Sequence, residues 1–144
     1  MAEVRSTKVL AEAVFKAINA HDLVGISGLF AEDATGWDPT LPAAVKGPKA
    51  IQQYFRDQFK TFPDANIRTL STIESSDAVA AEIEWTGTQK GPIEMPGQPA
   101  IPPTNRRVSG RGVIVGRAKN GKITSFSVYF DTGSMMQQLG LAPK

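Results

Sequence analysis

Two aspartates stand where this sequence could do acid/base chemistry. Asp131 closes an apolar run, Ser125-Phe126-Ser127-Val128-Tyr129-Phe130, just before a helical stretch that starts at Thr132, and Asp38 sits in Trp37-Asp38-Pro39. A carboxylate so placed can take a proton from a carbon beside a carbonyl and return it elsewhere, provided that it faces an enclosed apolar site. Each aspartate also has a purely structural reading. Asp131 would cap the following helix by accepting backbone N–H bonds, and Asp38, as Asp-Pro, would start a turn. Around them, Trp37, Trp85 and Phe30 are candidate pocket walls, and Tyr54 and Tyr129 are candidate hydroxyl donors to a substrate carbonyl. Arg107 is a candidate partner for an acid at the pocket mouth. Core packing for the aromatics, and a solvated strand face for Arg107, compete with those roles.

Other chemistries find little support. The 144 residues hold one histidine, His21, and no cysteine, so a multi-histidine metal site, a thiol nucleophile and a disulfide framework are all excluded. His21 falls between two helical patterns and reads as a helix-end residue. No glycine-rich phosphate loop follows a strand, since Gly110-Arg111-Gly112 lies within a strand pattern. The formal net charge is +2, and apart from Arg106-Arg107 and Arg111 the basic residues are scattered, which argues against a nucleic-acid partner. No stretch has the length and apolarity of a membrane span, and Met1 to Ser6 lacks the features of a signal peptide. A cytoplasmic protein of one domain, residues 1–144, with neither metal nor cofactor, is the expectation.

The elements that must position the aspartates follow from periodicity. Leu10, Val14, Ala17 and Ile18 predict an amphipathic helix from about Val4 to Ala20. Asp22 would cap a second, with Leu23, Ile26, Leu29 and Phe30 continuing the period to Ala31. A short strand or turn follows near Trp37. Gly47-Pro48 opens a third helix with Ile51, Tyr54, Phe55, Phe59 and Phe62 on its apolar face, ending before Pro63. From there the pattern alternates, predicting strands over Asn66–Ile73, Val79–Gln89, Arg106–Arg117 and Lys122–Asp131. Asn120-Gly121 predicts a two-residue hairpin joining the last two. Helices first and hairpin-linked strands after them make an α+β domain. The proline-rich segment from Lys90 to Asn105 reads equally well as a lid or as a stiff hairpin extension. In the last strand, alternation sets Ile123, Ser125, Ser127, Tyr129 and Asp131 against Thr124, Phe126, Val128 and Phe130. Either the phenylalanine face is exposed and Asp131 reaches the pocket, or the faces swap and Asp131 is only a cap.

This order of elements, with Asn19-Ala20-His21-Asp22-Leu23 at a helix junction and Leu29-Phe30-Ala31-Glu32-Asp33-Ala34-Thr35 after it, resembles the NTF2-like superfamily. From Ala17 to Pro39 the chain is similar to the steroid Δ-isomerases, which implies Asp38 as catalytic base. From Ile101 onward it is similar to the SnoaL-like polyketide cyclases, through Ile101-Pro102-Pro103-Thr104, Gly121-Lys122-Ile123 and Tyr129-Phe130-Asp131 with Gln138-Leu139-Gly140. That branch implies Asp131 as general acid/base. The resemblance further implies a cone with N-terminal helices in the concave face of a curved, mainly antiparallel sheet, and a homodimer formed through the sheet. The positions of the isomerases' two oxyanion donors fall near Val14 and near Ser109 or Gly110. Loss of even one such donor typically costs about a hundredfold or more in rate, so the cyclase-type reading fits better. The expected function is a cofactor-independent acid/base reaction on a mostly apolar carbonyl compound, with Asp131 as general acid/base and Asp38 as its partner or second candidate. A non-catalytic ligand-binding or dimerisation domain is the alternative.

Overall fold

Ser6 starts the first helix by chemistry local to it. Its extended backbone and hydroxyl, which accepts the Val9 N–H, cap α1 (Thr7–Asn19) and set Leu10, Val14, Phe15 and Ile18 on one buried stripe. This computed structural model describes residues 6–94 and 97–141. Val4, where the first helix was expected to begin, and Met95 and Pro96 of the proline-rich segment lie outside them. Asn19 ties the end of α1 to the sheet, donating to the Ile67 carbonyl at 2.9 Å and accepting the Ile67 N–H at 2.7 Å. His21 has φ of 54°, its ring stacked on Phe59 at 4.2 Å and its Nε2 3.2 Å from the Ala65 carbonyl. It is a helix-end residue, as its sequence context suggests.

Asp22 caps α2 (Leu23–Ser27), but that helix is four residues shorter than the periodicity predicts. Gly28 ends it. Phe30 instead opens β1 (Phe30–Trp37), pairing in parallel with the last strand at Ile123. Glycines at 25 and 28 weaken the helix, and a sheet partner distant in sequence takes over Leu29 and Phe30. A two-residue strand, β2 (Val45–Lys46), precedes α3 (Pro48–Thr61). Gly47, at φ of 89°, and Pro48 start α3, and it stops before Pro63 as expected.

The remaining strands agree with the alternation to within two residues at each end: β3 (Asn66–Glu74), β4 (Ala78–Thr88), β5 (Arg107–Lys119) and β6 (Lys122–Phe130). Asn120 and Gly121 take the positive φ values, 54° and 77°, of the predicted hairpin turn. A final helix, α4 (Thr132–Gln138), follows. The sheet order is β2-β1-β6-β5-β4-β3, with every pair antiparallel except β1 and β6. Irregular registers between Thr69 and Ser71 and between Arg117 and Ala118 increase twist and bend the sheet. The core lies on the side that faces the helices, where Leu10, Ile26, Ala34, Ile51, Ala81, Ile83 and Phe126 pack together. Among the described residues no helix is long and apolar enough to cross a membrane.

The second of those irregularities settles which way β6 faces. Ala118 pairs with Ile123 and Arg117 with Ser125, so Thr124 is an extra residue in β6. Ile123 and Phe126, three apart, are therefore both buried, while Tyr129 is 52% exposed. The exposed-phenylalanine alternative is corrected: Phe126 packs against Phe30, Tyr54 and Phe55 inside the cone. Strict alternation through 123–131 fails because it cannot see a bulge.

Candidate active site

Asp38 follows the last residue of β1 and turns into the interior. It is only 2% exposed, and its two oxygens have different neighbours. Oδ1 accepts the backbone N–H and the hydroxyl of Thr40, each at 2.6 Å, closing an Asx turn across Pro39. Oδ2 accepts the hydroxyl of Tyr54, which projects from α3 between Phe55 and Phe126. Tyr54 is half-buried and lines the interior cavity. Burial, and then the negative charge and hydrogen bond of Asp38, push its phenol well above the ordinary range, so the hydroxyl stays protonated and donating near neutral pH. No cation balances Asp38, since among the described residues the only salt bridge is Arg68–Glu84, on the exposed side of β3 and β4.

These groups open into a cavity of about 970 Å³ between the helices and the concave face of the sheet. Val14 and Ile18 of α1, Phe59 of α3, and Trp85, Ile114 and Val128 of the sheet are among its apolar walls. Phe30, 5% exposed, lines it beside Phe126, and Trp85 is held edge to face by Phe62 at 4.7 Å.

One side of the cavity is built from the proline-rich segment. Pro92, Ile93 and Glu94 line it, and Ile93 and Ile101 pair by reciprocal backbone bonds of 2.9 and 2.8 Å. The base of the segment is locked by Gln89, which has no exposed surface. Its Nε2 donates to the Gly91 and Pro102 carbonyls, and its Oε1 accepts the Thr104 N–H and hydroxyl. The segment is therefore a pinned hairpin extension whose inner edge is cavity wall.

Asp131 occupies a different setting. It is exposed at the cavity rim, and its Oδ1 accepts the Ser134 N–H at 3.0 Å, capping α4. Because β1 and β6 run parallel with Trp37 opposite Ser127, Asp38 is level with Val128. Asp131 lies three residues farther along, an offset of about 10 Å at the rise of an extended strand. Both carboxylates are thus at one end of the sheet, but not side by side. Gln138 of α4 clasps Ser109 through both its amide atoms, at 2.9 and 2.8 Å, and so holds this rim in place.

The profile of the SnoaL-like domain matches residues 11–126, which span α1 to the middle of β6. The chain belongs to the SnoaL-like domain family. Solved structures agree along nearly the whole length. AclR from Streptomyces galilaeus, a proposed hydroxylase, is 26% identical, with 95% of this chain and 97% of that one covered at a TM-score of 0.77. IdmH from Streptomyces antibioticus, a proposed polyketide cyclase, is 23% identical over 94% and 99%, at 0.77. A protein of ketosteroid isomerase-like fold from Catenulispora acidiphila, crystallised with trimethylamine, is 20% identical over 96% of each chain, at 0.78. No curated protein matches the sequence. The architecture is the NTF2-like cone that the sequence resemblance implies.

Within this SnoaL-like domain the sequence-derived candidates divide. Asp38, Tyr54, Phe30, Trp85 and Asp131 line the cavity or its rim. Trp37 and Tyr129 do not. Their rings lie 5.5 Å apart on the outer face of the sheet, because Trp37 and Tyr129 point opposite to Phe126 and Val128. Arg107 is exposed outside the cavity and acts instead on Asp64. Burial alone would raise the Asp64 carboxyl, but hydrogen bonds from Thr88, with the Asp64 amide and then Arg107, outweigh it and lower the group. Among the described residues no three His, Cys, Asp or Glu side chains gather as metal ligands. Sequence reasoning missed Thr40 and Gln89. Thr40 was detectable, since Asp-Pro-Thr is an Asx-turn signature, whereas nothing local distinguishes Gln89 from any other strand-end glutamine.

Proposed function

We propose that this SnoaL-like domain is a cofactor-independent acid/base enzyme of cyclase or isomerase type, acting on a mostly apolar carbonyl compound with Asp38 as the proton carrier. The observation that carries the reading is a buried carboxylate without a cation partner, held by Thr40 and Tyr54 against a 970 Å³ apolar cavity. Asp38 Oδ2 takes a proton from the carbon beside the substrate carbonyl, leaving an enolate. In an isomerisation the proton returns to a second carbon of the conjugated system. In a cyclisation the enolate carbon bonds to another carbonyl carbon, and the alkoxide formed there takes the proton back. Val14, at the position of the isomerases' tyrosine, supplies no oxyanion donor, and neither Ser109 nor Gly110 carries the carboxylic acid of the second position, so the substrate must itself delocalise much of the enolate charge. Asp131 serves at the rim as the second acid/base group, secondary to Asp38 because it is exposed and capping α4. The outer face of the sheet, where Tyr129, Trp37 and Ile73 crop out, is the surface for a homodimer.

A non-catalytic ligand-binding reading has one specific observation in its favour: Thr40 occupies Oδ1 of Asp38, and Asp131 caps a helix. Exchange of the α-protons of 2-tetralone for deuterium, followed by NMR, separates the two. The enzyme reading expects protein-catalysed exchange that falls at least a hundredfold in Asp38→Asn and by less in Asp131→Asn. Equal exchange in wild type and Asp38→Asn refutes it, and tetralone binding without exchange establishes the binder.

A further inference from the structure

The concave face of β5 is unusual in what it lacks. Alternation places Val108, Gly110, Gly112, Ile114 and Gly116 inward, so three of five positions on this face carry no side chain, from exposed Gly110 to buried Gly116. Glycine in a strand interior sacrifices packing and backbone entropy, and each occurrence needs a reason. Gly112 has one: a Cβ there would meet the Tyr129 carbonyl oxygen at 2.6 Å. So does Gly87 on the neighbouring strand, where a Cβ would come within 3.0 Å of the Trp85 ring and 3.2 Å of Phe62. Gly116 would make ordinary contact with Val79 at 3.4 Å.

Gly110 has none of these reasons. A Cβ at this position would meet no atom within 4 Å, and its backbone does not take the positive φ that favours glycine. It pairs directly with Trp85, and both line the cavity. Trp85 does not fill the gap, because its indole leans along β4 over Gly87 and is fixed there by Phe62. On the other side of β5, Phe130 pairs with Gly112. The result is a floor of bare backbone at Gly110 and Gly112 between two aromatic walls, Trp85 on β4 and Phe130 on β6. The walls stand on strands two spacings apart and are offset by two residues along β5, so their backbones are about 12 Å apart on a diagonal across the trough.

We infer that Gly110 is a specificity-determining residue: its missing side chain reserves space for a ring of the bound molecule between Trp85 and Phe130. The assignment rests on the cavity being the ligand site proposed above, though not on proton transfer by Asp38. It commits the ligand to more than one ring, with one ring in the trough and the remainder in the cavity beyond it.

The test uses Gly110→Leu with two probes, alizarin, a rigid three-ring carbonyl compound, and phenol, a single ring. Binding is measured by calorimetry, and by quenching of Trp85 fluorescence in a Trp37→Phe background. Gly110→Leu is expected to melt at or above the wild-type temperature, to lose alizarin affinity at least tenfold and to keep phenol affinity within twofold. Gly87→Ala, by contrast, is expected to melt lower. Unchanged alizarin affinity in Gly110→Leu overturns the assignment, as does failure of the wild type to bind alizarin. A Gly110→Leu protein that melts below wild type overturns the claim that the space is free of protein groups, and Gly110→Ala, with the smallest side chain, then repeats that measurement. Loss of tetralone exchange in Asp38→Asn together with unchanged alizarin binding in Gly110→Leu leaves the enzyme reading standing and removes this one. Tenfold weaker alizarin binding in Gly110→Leu, without tetralone exchange in wild type, does the reverse.

Discussion

Removing the Tyr54 hydroxyl, as Tyr54→Phe, isolates the one contact that joins Asp38 to α3. A hydrogen bond to a charged acceptor contributes about 1.5–3 kcal/mol. Asp38 keeps both donors from Thr40 in the variant, so the carboxylate is not orphaned, and the loss falls at the lower end, about 1.5–2 kcal/mol. For a chain of this length that corresponds to a melting temperature lower by about 5–7 °C. Asp38→Asn preserves shape and the Oδ1 acceptor but turns charge-assisted bonds into neutral ones of about half the strength. With its oxygen kept on Thr40, the asparagine puts an NH2 group, which cannot accept, opposite the Tyr54 hydroxyl, so both substitutions remove the same bond and the double variant is expected to fall short of additivity by about 1–2 kcal/mol in urea denaturation. The pair also has an alkaline signature. Tyr54 holds its proton more tightly folded than unfolded, so its contribution is complete below the unfolded pKa of about 10 and is lost as pH rises beyond that value. The wild type should therefore lose stability above pH 10 with a slope approaching about 1.4 kcal/mol per unit from this group, a component missing from Tyr54→Phe. The tyrosinate absorbance that distinguishes the two proteins should appear only on unfolding. A coupling energy below about 0.5 kcal/mol, within the scatter of independent sites, would refute the Asp38–Tyr54 bond as the support of the site.

Gln89→Leu retains side-chain volume but strands two carbonyls and the Thr104 donors, and is expected to cost about 3 kcal/mol in thermal unfolding and to open the 90–105 segment to proteolysis. A variant as stable and protease-resistant as wild type would mean that the segment is held by something else. Tyr129→Arg should convert a dimer into a monomer in sedimentation velocity, and a wild type that already sediments as a monomer would remove the sheet-face interface.

The strands and long helices were legible because their signals are local. Leu10, Val14 and Ile18 keep the helical period, Gly47-Pro48 and Pro63 bracket α3, and Asn120-Gly121 fixes a turn within two residues. What stayed hidden depends on partners far away in sequence. Leu29 and Phe30 continue a helical period, yet Ile123 and its neighbours claim Phe30 for a parallel strand pair that only the folded sheet supplies. Thr124 bulges out of the β5–β6 register, and that single residue brings Ile123 onto the buried face of Phe126, where strict alternation sets the two on opposite faces. Tyr129 falls on the outer face, and Trp37, a pocket candidate because it adjoins Asp38, lies on that same outer face against the Tyr129 ring.

The site was legible in its residues and hidden in its hydrogen bonds. For Asp38 a turn and a pocket stood as alternatives, yet the structure gives one oxygen to each: Oδ1 serves the Asx turn with Thr40, and Oδ2 faces Tyr54 and the cavity. The turn is what makes the cavity role geometrically definite, because two donors on Oδ1 prevent rotation of the carboxylate and leave proton transfer to Oδ2 alone. For Asp131 the same two readings do not combine so well. Its single cap bond leaves the group in water at the rim, where the low dielectric that strengthens charge interactions is absent. The difference between two aspartates that end neighbouring parallel strands therefore comes from three residues of extra strand length, which carry Asp131 out of the cone and leave Asp38 inside it.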